Sequence, residues 1–319
     1  MAFVIRAALA GLLCGVVSVT QAQQYPVKPV RMLVGIAPGG GLDTGTRTVA
    51  NKLSELLGQP FIVENRAGGG GTIAAAAVAN AAPDGYTLLM AATTIMVHPA
   101  VYANLPYDAI KSFTPIGAAG TEILAIAVHP SVPAKNAAEL IALLRANPGK
   151  FNYGSPGVGT MHHLTMEMFK KQAGVDMVHI PYKGAALITP DLISGQIPIA
   201  IMSVNATLPQ VKGGKIRAIA ISSPVKLTVA DWPAISETLP GFDAASTRLL
   251  MAPAGVSREI VLRLSEGLRR MLASEDIQRA FTLQGAHWLF VAPDDLAASM
   301  RVDILKWTAA ARDAGLKAD

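Results

Sequence analysis

A run of three glycines between an apolar segment and a helix pattern constrains this chain most. The stretch reads VGIAPGGGLDT at 34–44, with Gly39, Gly40 and Gly41 shortly before Asp43. It lacks the G-x-x-x-x-G-K-[ST] and G-x-G-x-x-G spacings of nucleotide loops. Consecutive glycines still let backbone N–H groups approach a ligand, and a helix N-terminus adds partial positive charge. The loop suits a carboxylate, with Asp43 as the helix N-cap, and a ligand-free turn stays equally open.

Strand and helix patterns alternate along the chain. Strand patterns at 30–37, 60–64 and 86–91 are separated by helix patterns at 44–58 and 72–82. This order predicts a parallel sheet covered by helices, and the middle of the chain repeats it. Because no long linker separates the two units, we expect the chain to cross between them in strands. That geometry suits a hinged clamp with a central cleft.

A second glycine-rich loop, YGSPGVGTMHH at 153–163, joins a strand pattern to a helix pattern in the second unit. It fails the G-x-S-x-G nucleophile elbow, because Gly154 directly precedes Ser155. Adjacent histidines cannot chelate one metal as an i, i+4 pair would, so no metal site is expected. One glycine loop from each unit can converge on a single anion across the cleft. A third run, NRAGGGGTIA at 65–74, is interpreted as a plain turn.

The first 22 residues have the pattern of a secretory signal peptide. One positive charge precedes an apolar core at 7–19 that is too short to span a bilayer. The single cysteine, Cys14, lies in this segment, so a mature chain from Gln23 would contain no disulfide. The 27 basic and 22 acidic residues are scattered, which disfavours nucleic-acid binding. An exported, cysteine-free chain of this size fits a bacterial periplasm.

Several motifs together resemble the tripartite tricarboxylate transporter receptors, also called Bug receptors. They are YPVKPVRMLVGIAPGGGLD, LGQPFIVENRAGGGGTIAAAAVANAAPDGYTLL, NPGKFNYGSPGVGTMHHL, GVDMVHIPYKG, LPQVKGGKIRAIAI and MAPAG, in order along the chain. The resemblance implies an α/β, type II-like periplasmic binding fold (a Venus flytrap) with a central cleft and crossover hinge strands. It implies a small carboxylate ligand, no cofactor, no catalysis, and two integral-membrane partners, one large and one small. A monomer is expected.

The resemblance also implies lobe boundaries and ligand contacts. Lobe 1 is expected at 23–124 plus 249–319, and lobe 2 at 125–248. The expected ligand-binding residues are Ala37, Gly39, Gly40, Gly41, Leu42, Asp43, Thr93, Thr94, Ser155, Gly157, Gly159, Thr160, His163, Tyr182, Lys183, Gly184, Met202, Ser203 and Arg248.

Departures from the family pattern bear on the ligand. Pro198 stands where relatives often have an aspartate, and Met202 stands near the position of a second one. A cleft without a carboxylate argues against an amine-bearing ligand. Arg248 replaces a large apolar residue, so it either contacts a second carboxylate or is an exposed strand-end arginine. Leu42 and Met202 suggest an apolar wall that suits an aromatic or longer-chain acid. The prediction is therefore a di- or aromatic carboxylate.

Two alternatives to transport stay open. One is a secreted hydrolase that uses Ser155 with His163, although no standard oxyanion hole or acid partner is present. The other is a receptor that signals its closed state to a membrane sensor, which shares every residue above and differs only in its partner.

Overall fold

The computed structural model describes residues 25–316. The predicted signal peptide at 1–22 and Cys14 lie outside the described residues. In chain order the elements are β1 (Val30–Val34), α1 (Gly41–Leu57), β2 (Phe61–Asn65), α2 (Thr72–Ala79), β3 (Thr87–Ala92), α3 (Thr94–Val101), β4 (Phe113–Glu122), β5 (Leu124–Val128), α4 (Ala137–Ala146), β6 (Asn152–Ser155), α5 (Met161–Ala173), β7 (Val178–Pro181), α6 (Ala185–Ser194), β8 (Ile199–Ser203), α7 (Val204–Lys212), β9 (Arg217–Ile221), β10 (Ser246–Pro253), α8 (Arg258–Leu272), α9 (Glu275–Leu283), β11 (Ala286–Val291) and α10 (Pro293–Asp313).

Each lobe is built on its own sheet. The first sheet has six strands in the order β11-β4-β10-β3-β1-β2, and the second has five in the order β7-β6-β8-β5-β9. β1 pairs parallel with both β2 and β3, as the alternating pattern predicts. Strands β10 and β4 run antiparallel beside them. The predicted arrangement of two α/β lobes is the one observed.

The chain crosses between the lobes at two places. β4 of the first sheet and β5 of the second are separated by Ile123 alone. The return occurs between β9 and β10, and β10 begins at Ser246. Residues 246–248, expected in lobe 2, therefore pair within the sheet of lobe 1.

Helix α1 shows how the sequence sets an element. Its buried residues include Val49, Ala50 and Leu53, which lie on one face at helical spacing. Gly58 ends the helix with φ 73, a left-handed conformation that glycine adopts without steric cost. Its N–H donates to the Ser54 carbonyl, which would otherwise have no partner at the helix end. The helix thus begins at Gly41, the last residue of the first glycine run, and ends before Gly58.

The lobes are closed on one another. The Tyr102 hydroxyl of the first lobe donates to the Val158 carbonyl of the second over 3.2 Å. At another point, Asn205 Nδ2 donates to Thr44 Oγ1 over 3.4 Å. Among residues 25–316, no helix has the length and apolar character needed to cross a membrane.

Candidate ligand-binding cleft

A small cavity lies between the two lobes, at the carboxyl ends of strands from both sheets. Its volume is about 60 Å³. The first turns of six helices surround it, three from each lobe. The wall residues at the starts of α1, α2, α3, α5, α6 and α7 are Gly41, Gly71, Thr94, Met161, Ala185 and Ser203.

The rest of the wall is mostly apolar or glycine. It consists of Gly35, Ile36, Ala37, Gly40, Leu42, Gly70, Ala75, Leu89, Met90, Ala91, Ala92, Ile95, His98, Glu122, Pro156, Thr160, His162 and Ser246. The expected ligand residues that line this wall are Ala37, Gly40, Gly41, Leu42, Thr94, Thr160 and Ser203. Those outside it are Gly39, Asp43, Thr93, Ser155, Gly157, Gly159, His163, Tyr182, Lys183, Gly184, Met202 and Arg248.

Asp43 fixes the shape of the first glycine loop from behind. The N-cap of α1 is Gly40, so Asp43 lies in the first turn and is not the cap that was predicted. Its carboxylate accepts hydrogen bonds from the Gly39 N–H at 2.9 Å and from Asn65 at 2.8 Å, and it pairs with Arg47 at 3.0 Å. Burial opposes ionisation of Asp43, but these hydrogen bonds outweigh it and hold its pKa below the usual value. The backbone of this loop therefore lines the cavity, whereas Asp43 does not.

The second glycine loop is held by Thr160, the N-cap of α5, whose hydroxyl accepts from the His163 N–H at 3.3 Å. His163 faces away from the cavity and stacks on His179 at a ring distance of 3.9 Å. Its neighbour His162 lines the cavity instead. Consecutive helix residues point about 100° apart, so the sequence alone could not say which histidine faces the ligand.

The third glycine run is part of the site and not a plain turn. Gly70 and Gly71 line the cavity, and both have positive φ (61° and 108°). A Cβ at Gly70 would lie 2.7 Å from the Val158 carbonyl oxygen of the other lobe. Only glycine permits this backbone and this approach together. His98 Nε2 lies 3.2 Å from the Gly70 carbonyl oxygen and steadies the loop from the first lobe.

The remaining expected residues pack around the wall. Thr93 accepts from the Thr247 N–H at 2.9 Å and thereby ties α3 to β10, while Thr94 reaches the cavity. The Tyr182 hydroxyl donates to Asp191 at 2.7 Å, and Lys183 is exposed. Met202 is fully buried in the core of the second lobe.

The family profile of the tripartite tricarboxylate transporter family receptor matches residues 46–314. The chain belongs to this family. It is 31% identical to the protein BugT of Bordetella pertussis over 309 residues, which is 95% of this chain and 94% of BugT. The structure of R. palustris Rpa4515 with adipate superposes with a TM-score of 0.88 at 31% identity, covering 92% of this chain and all of that one. MatC from Rhodopseudomonas palustris with bound malate gives a TM-score of 0.83 at 28% identity, covering 90% and 99%.

In this tripartite tricarboxylate transporter family receptor, Arg248 takes neither position that the sequence suggested. Its side chain is buried, and its guanidinium donates to the carbonyls of Gly41 (3.2 Å) and Thr121 (3.3 Å). It also lies over the Phe281 ring at 5.4 Å. Residues alternate between faces along β10, and this register turns Arg248 toward α1. It supports the first turn of α1 from behind and does not contact the cavity.

A carboxylate that the sequence did not predict lines the receptor's cavity. Glu122 ends β4, is 5% exposed, and has an Oε1 atom with no protein hydrogen-bond partner. Burial raises its pKa, and the nearby Arg248 opposes that rise. The prediction from Pro198 and Met202 of a cleft without a carboxylate is therefore wrong. β4 carries Pro115, Gly117 and Gly120, so its sequence resembles a loop and gave no signal for a site.

The cavity wall contains no lysine or arginine among the described residues. Its titratable groups are Glu122, His98 and His162. Burial lowers the pKa of both His98 and His162 to about 4, so both imidazoles are neutral at pH 7. Within this wall, the groups that carry partial positive charge are therefore the backbone N–H groups at the helix N-termini.

The geometry does not present Ser155 as a nucleophile. Its side chain is fully buried, and its Oγ lies 2.6 Å from His179 Nε2 and not beside His163. The Gly157 N–H donates to the same Oγ at 3.2 Å. These contacts hold the second glycine loop in place, and the serine hydroxyl does not line the cavity.

Proposed function

We propose that this chain is a periplasmic receptor that captures a small carboxylate between its lobes and delivers it to a membrane permease. The observation that carries the proposal is the meeting of six helix N-termini, three from each lobe, around one cavity without a wall lysine or arginine. Each helix N-terminus stabilises an anion by about 0.3–1 kcal/mol when exposed, and by up to about 2 kcal/mol when partly buried. Several helix N-termini together are therefore sufficient to bind a carboxylate, even though the wall supplies no positively charged side chain.

Contributions from both lobes make ligand binding favour closure. A carboxylate held only by α1, α2 and α3 would leave the second lobe free to swing away. Because α5, α6 and α7 begin at the same cavity, an anion there interacts with both lobes only in the closed form. A ligand shifts an equilibrium by its differential affinity for the two states, so the carboxylate would stabilise closure. A membrane partner that recognises the closed form can thereby distinguish the loaded receptor from the empty one.

Two relatives support the ligand class, because Rpa4515 is described with adipate and MatC with malate. For this chain, the apolar side chains of Leu42, Leu89 and Ile95 supply a surface for a hydrocarbon or aromatic body. The choice between a dicarboxylate and an aromatic carboxylate is part of the proposal. The proposal also includes export through the segment at 1–22, a monomeric state, and delivery to one large and one small integral-membrane subunit. A membrane sensor as partner is the alternative.

A thermal-shift screen tests the ligand class. The panel contains mono-, di- and tricarboxylates, both aliphatic and aromatic, with sugars and amines of similar size as controls. A ligand that binds only the folded state raises the apparent stability by mass action. We expect the strongest stabilisation from a carboxylate. The proposal fails if no carboxylate stabilises the protein or if a neutral sugar or an amine is the best ligand.

A further inference from the structure

Three buried polar side chains meet at one part of the cavity without protein partners. They are Glu122, Ser203 and Ser246, which are 5%, 1% and 2% exposed. Glu122 Oε1, Ser203 Oγ and Ser246 Oγ make no hydrogen bond within the described chain, although all three residues line the cavity. Buried polar atoms without a partner are destabilising and are uncommon in folded proteins. Their convergence on a cavity indicates a group that the ligand brings.

Backbone geometry fixes these side chains relative to one another. Ser246 and Glu122 are register partners on the adjacent strands β10 and β4. Gly41, the first residue of α1, lies directly beside Glu122 and Ser203. A Cβ built on it would lie 1.9 Å from Glu122 Oε1 and 2.9 Å from the Ser203 Cβ atom. The cluster thus spans both lobes and adjoins the N-terminus of α1, where the proposed carboxylate would bind.

The chemistry of the cluster selects a neutral hydroxyl group. The Glu122 carboxyl accepts hydrogen bonds in either protonation state and also donates one when protonated, and serine hydroxyls both donate and accept. Burial disfavours the ionised form of Glu122, as its raised pKa reflects, so this carboxyl offers little net attraction to an ammonium group. A ligand hydroxyl donates to Glu122 and accepts from a serine, which satisfies the cluster without bringing another charge into it.

We propose that Glu122, Ser203 and Ser246 form a subsite that makes this receptor prefer hydroxylated carboxylates over their unsubstituted counterparts. The inference rests on the proposed function, because it needs a carboxylate anchored at the helix N-termini. It adds a specificity-determining site that is independent of whether the body of the ligand is aliphatic or aromatic.

Matched ligand pairs test the subsite in the wild-type protein. Calorimetric affinities for malate and succinate, and for mandelate and phenylacetate, compare acids that differ by one hydroxyl. We expect the hydroxylated member of at least one pair to bind about tenfold tighter or more, since a site built to hydrogen-bond a hydroxyl rejects the analogue without it. Equal affinities within both pairs, with binding present, overturn the subsite alone. Absence of binding by every carboxylate in the thermal-shift panel overturns the proposed function as well.

Variants assign the preference to these residues. Ser246→Ala and Glu122→Gln should each reduce the ratio of the affinities for the hydroxylated and the unsubstituted acid several-fold. Ser265→Ala is the matched control, because Ser265 is buried in α8 and outside the cavity wall. If Glu122→Gln fails to fold, Ser246→Ala and the ligand pairs measured with the wild-type protein still test the subsite. An unchanged preference in Ser246→Ala and Glu122→Gln contradicts the assignment to these residues.

Discussion

Closure of the lobes can be blocked by one methyl group at Gly184. This residue precedes α6 in the second lobe, with φ 122 and ψ 161, a region that only glycine adopts easily. A Cβ at this position would lie 2.6 Å from the Ala37 Cβ of the first lobe, against ordinary contacts of 3.4–4 Å. Gly184→Ala therefore introduces an overlap that exists only when the lobes are closed.

The substitution has two separable effects. The backbone strain is present in both open and closed forms, so it lowers folding stability by about 1–3 kcal/mol and leaves affinity unchanged. The overlap with Ala37 acts on the closed form alone. Overpacking of this kind costs about 1–3 kcal/mol, which raises Kd by about 5- to 150-fold. Titration calorimetry with the best carboxylate from the thermal-shift screen measures the second effect.

A second-site change separates closure from general damage. With Ala37→Gly, the nearest remaining atoms to the new Cβ are the Ala37 Cα and N positions, at 3.8 and 3.9 Å. The double variant Gly184→Ala with Ala37→Gly should therefore recover most of the affinity, compared with Ala37→Gly alone. Gly174→Ala controls for strain, because Gly174 has φ 63 and no neighbour within 4 Å of its Cβ position. Wild-type affinity in Gly184→Ala, or no recovery in the double variant, would refute closure by this contact.

Three further results are expected. Tyr102→Phe removes the hydrogen bond to Val158 that joins the lobes, so titration should show Kd raised about 2- to 10-fold with the unliganded melting temperature nearly unchanged. Burial lowers the pKa of His98 from 6.5 to about 4, so between these pH values the unfolded chain binds more protons than the folded one. Urea unfolding should therefore show the full contribution of His98 to stability above about pH 6.5 and a progressive loss toward pH 4. The loss should be shallower in His98→Gln. Arg248→Met removes the buried hydrogen bonds from the guanidinium to the Gly41 and Thr121 carbonyls, so unfolding experiments should show a loss of about 1.5–3 kcal/mol or more, and a loss within 0.5 kcal/mol would contradict this role.

The sequence predicted the two-lobed fold because strand and helix patterns have different periods. It did not predict β4, the longest strand of the first sheet. Pro115, Gly117 and Gly120 there suggest a loop, yet the glycines permit close strand packing. A Cβ at Gly120 would lie 2.6 Å from the His287 carbonyl oxygen of β11. Local composition cannot distinguish a glycine needed for a turn from one needed for contact with a distant strand.

The site was predicted at the level of loops and less well at the level of side chains. The glycine loops before α1 and α5 both reach the cavity because a helix N-terminus and its preceding strand are local features. The direction of a side chain depends on tertiary packing. Arg248 and His163 both point away from the cavity for that reason, and Glu122 reaches it from a strand that the sequence did not predict.

Helix N-termini from both lobes should hold the ligand carboxylate between them. The most direct measurement is a calorimetric comparison of the best ligand with its carboxamide, in which a neutral amide of nearly the same shape replaces the carboxylate. We expect one carboxylate bound per chain and a carboxamide that binds at least about 100-fold more weakly, because the amide carries no charge for the helix dipoles to stabilise. Equal affinity for the carboxylate and its carboxamide would contradict binding of the carboxylate by the helix N-termini.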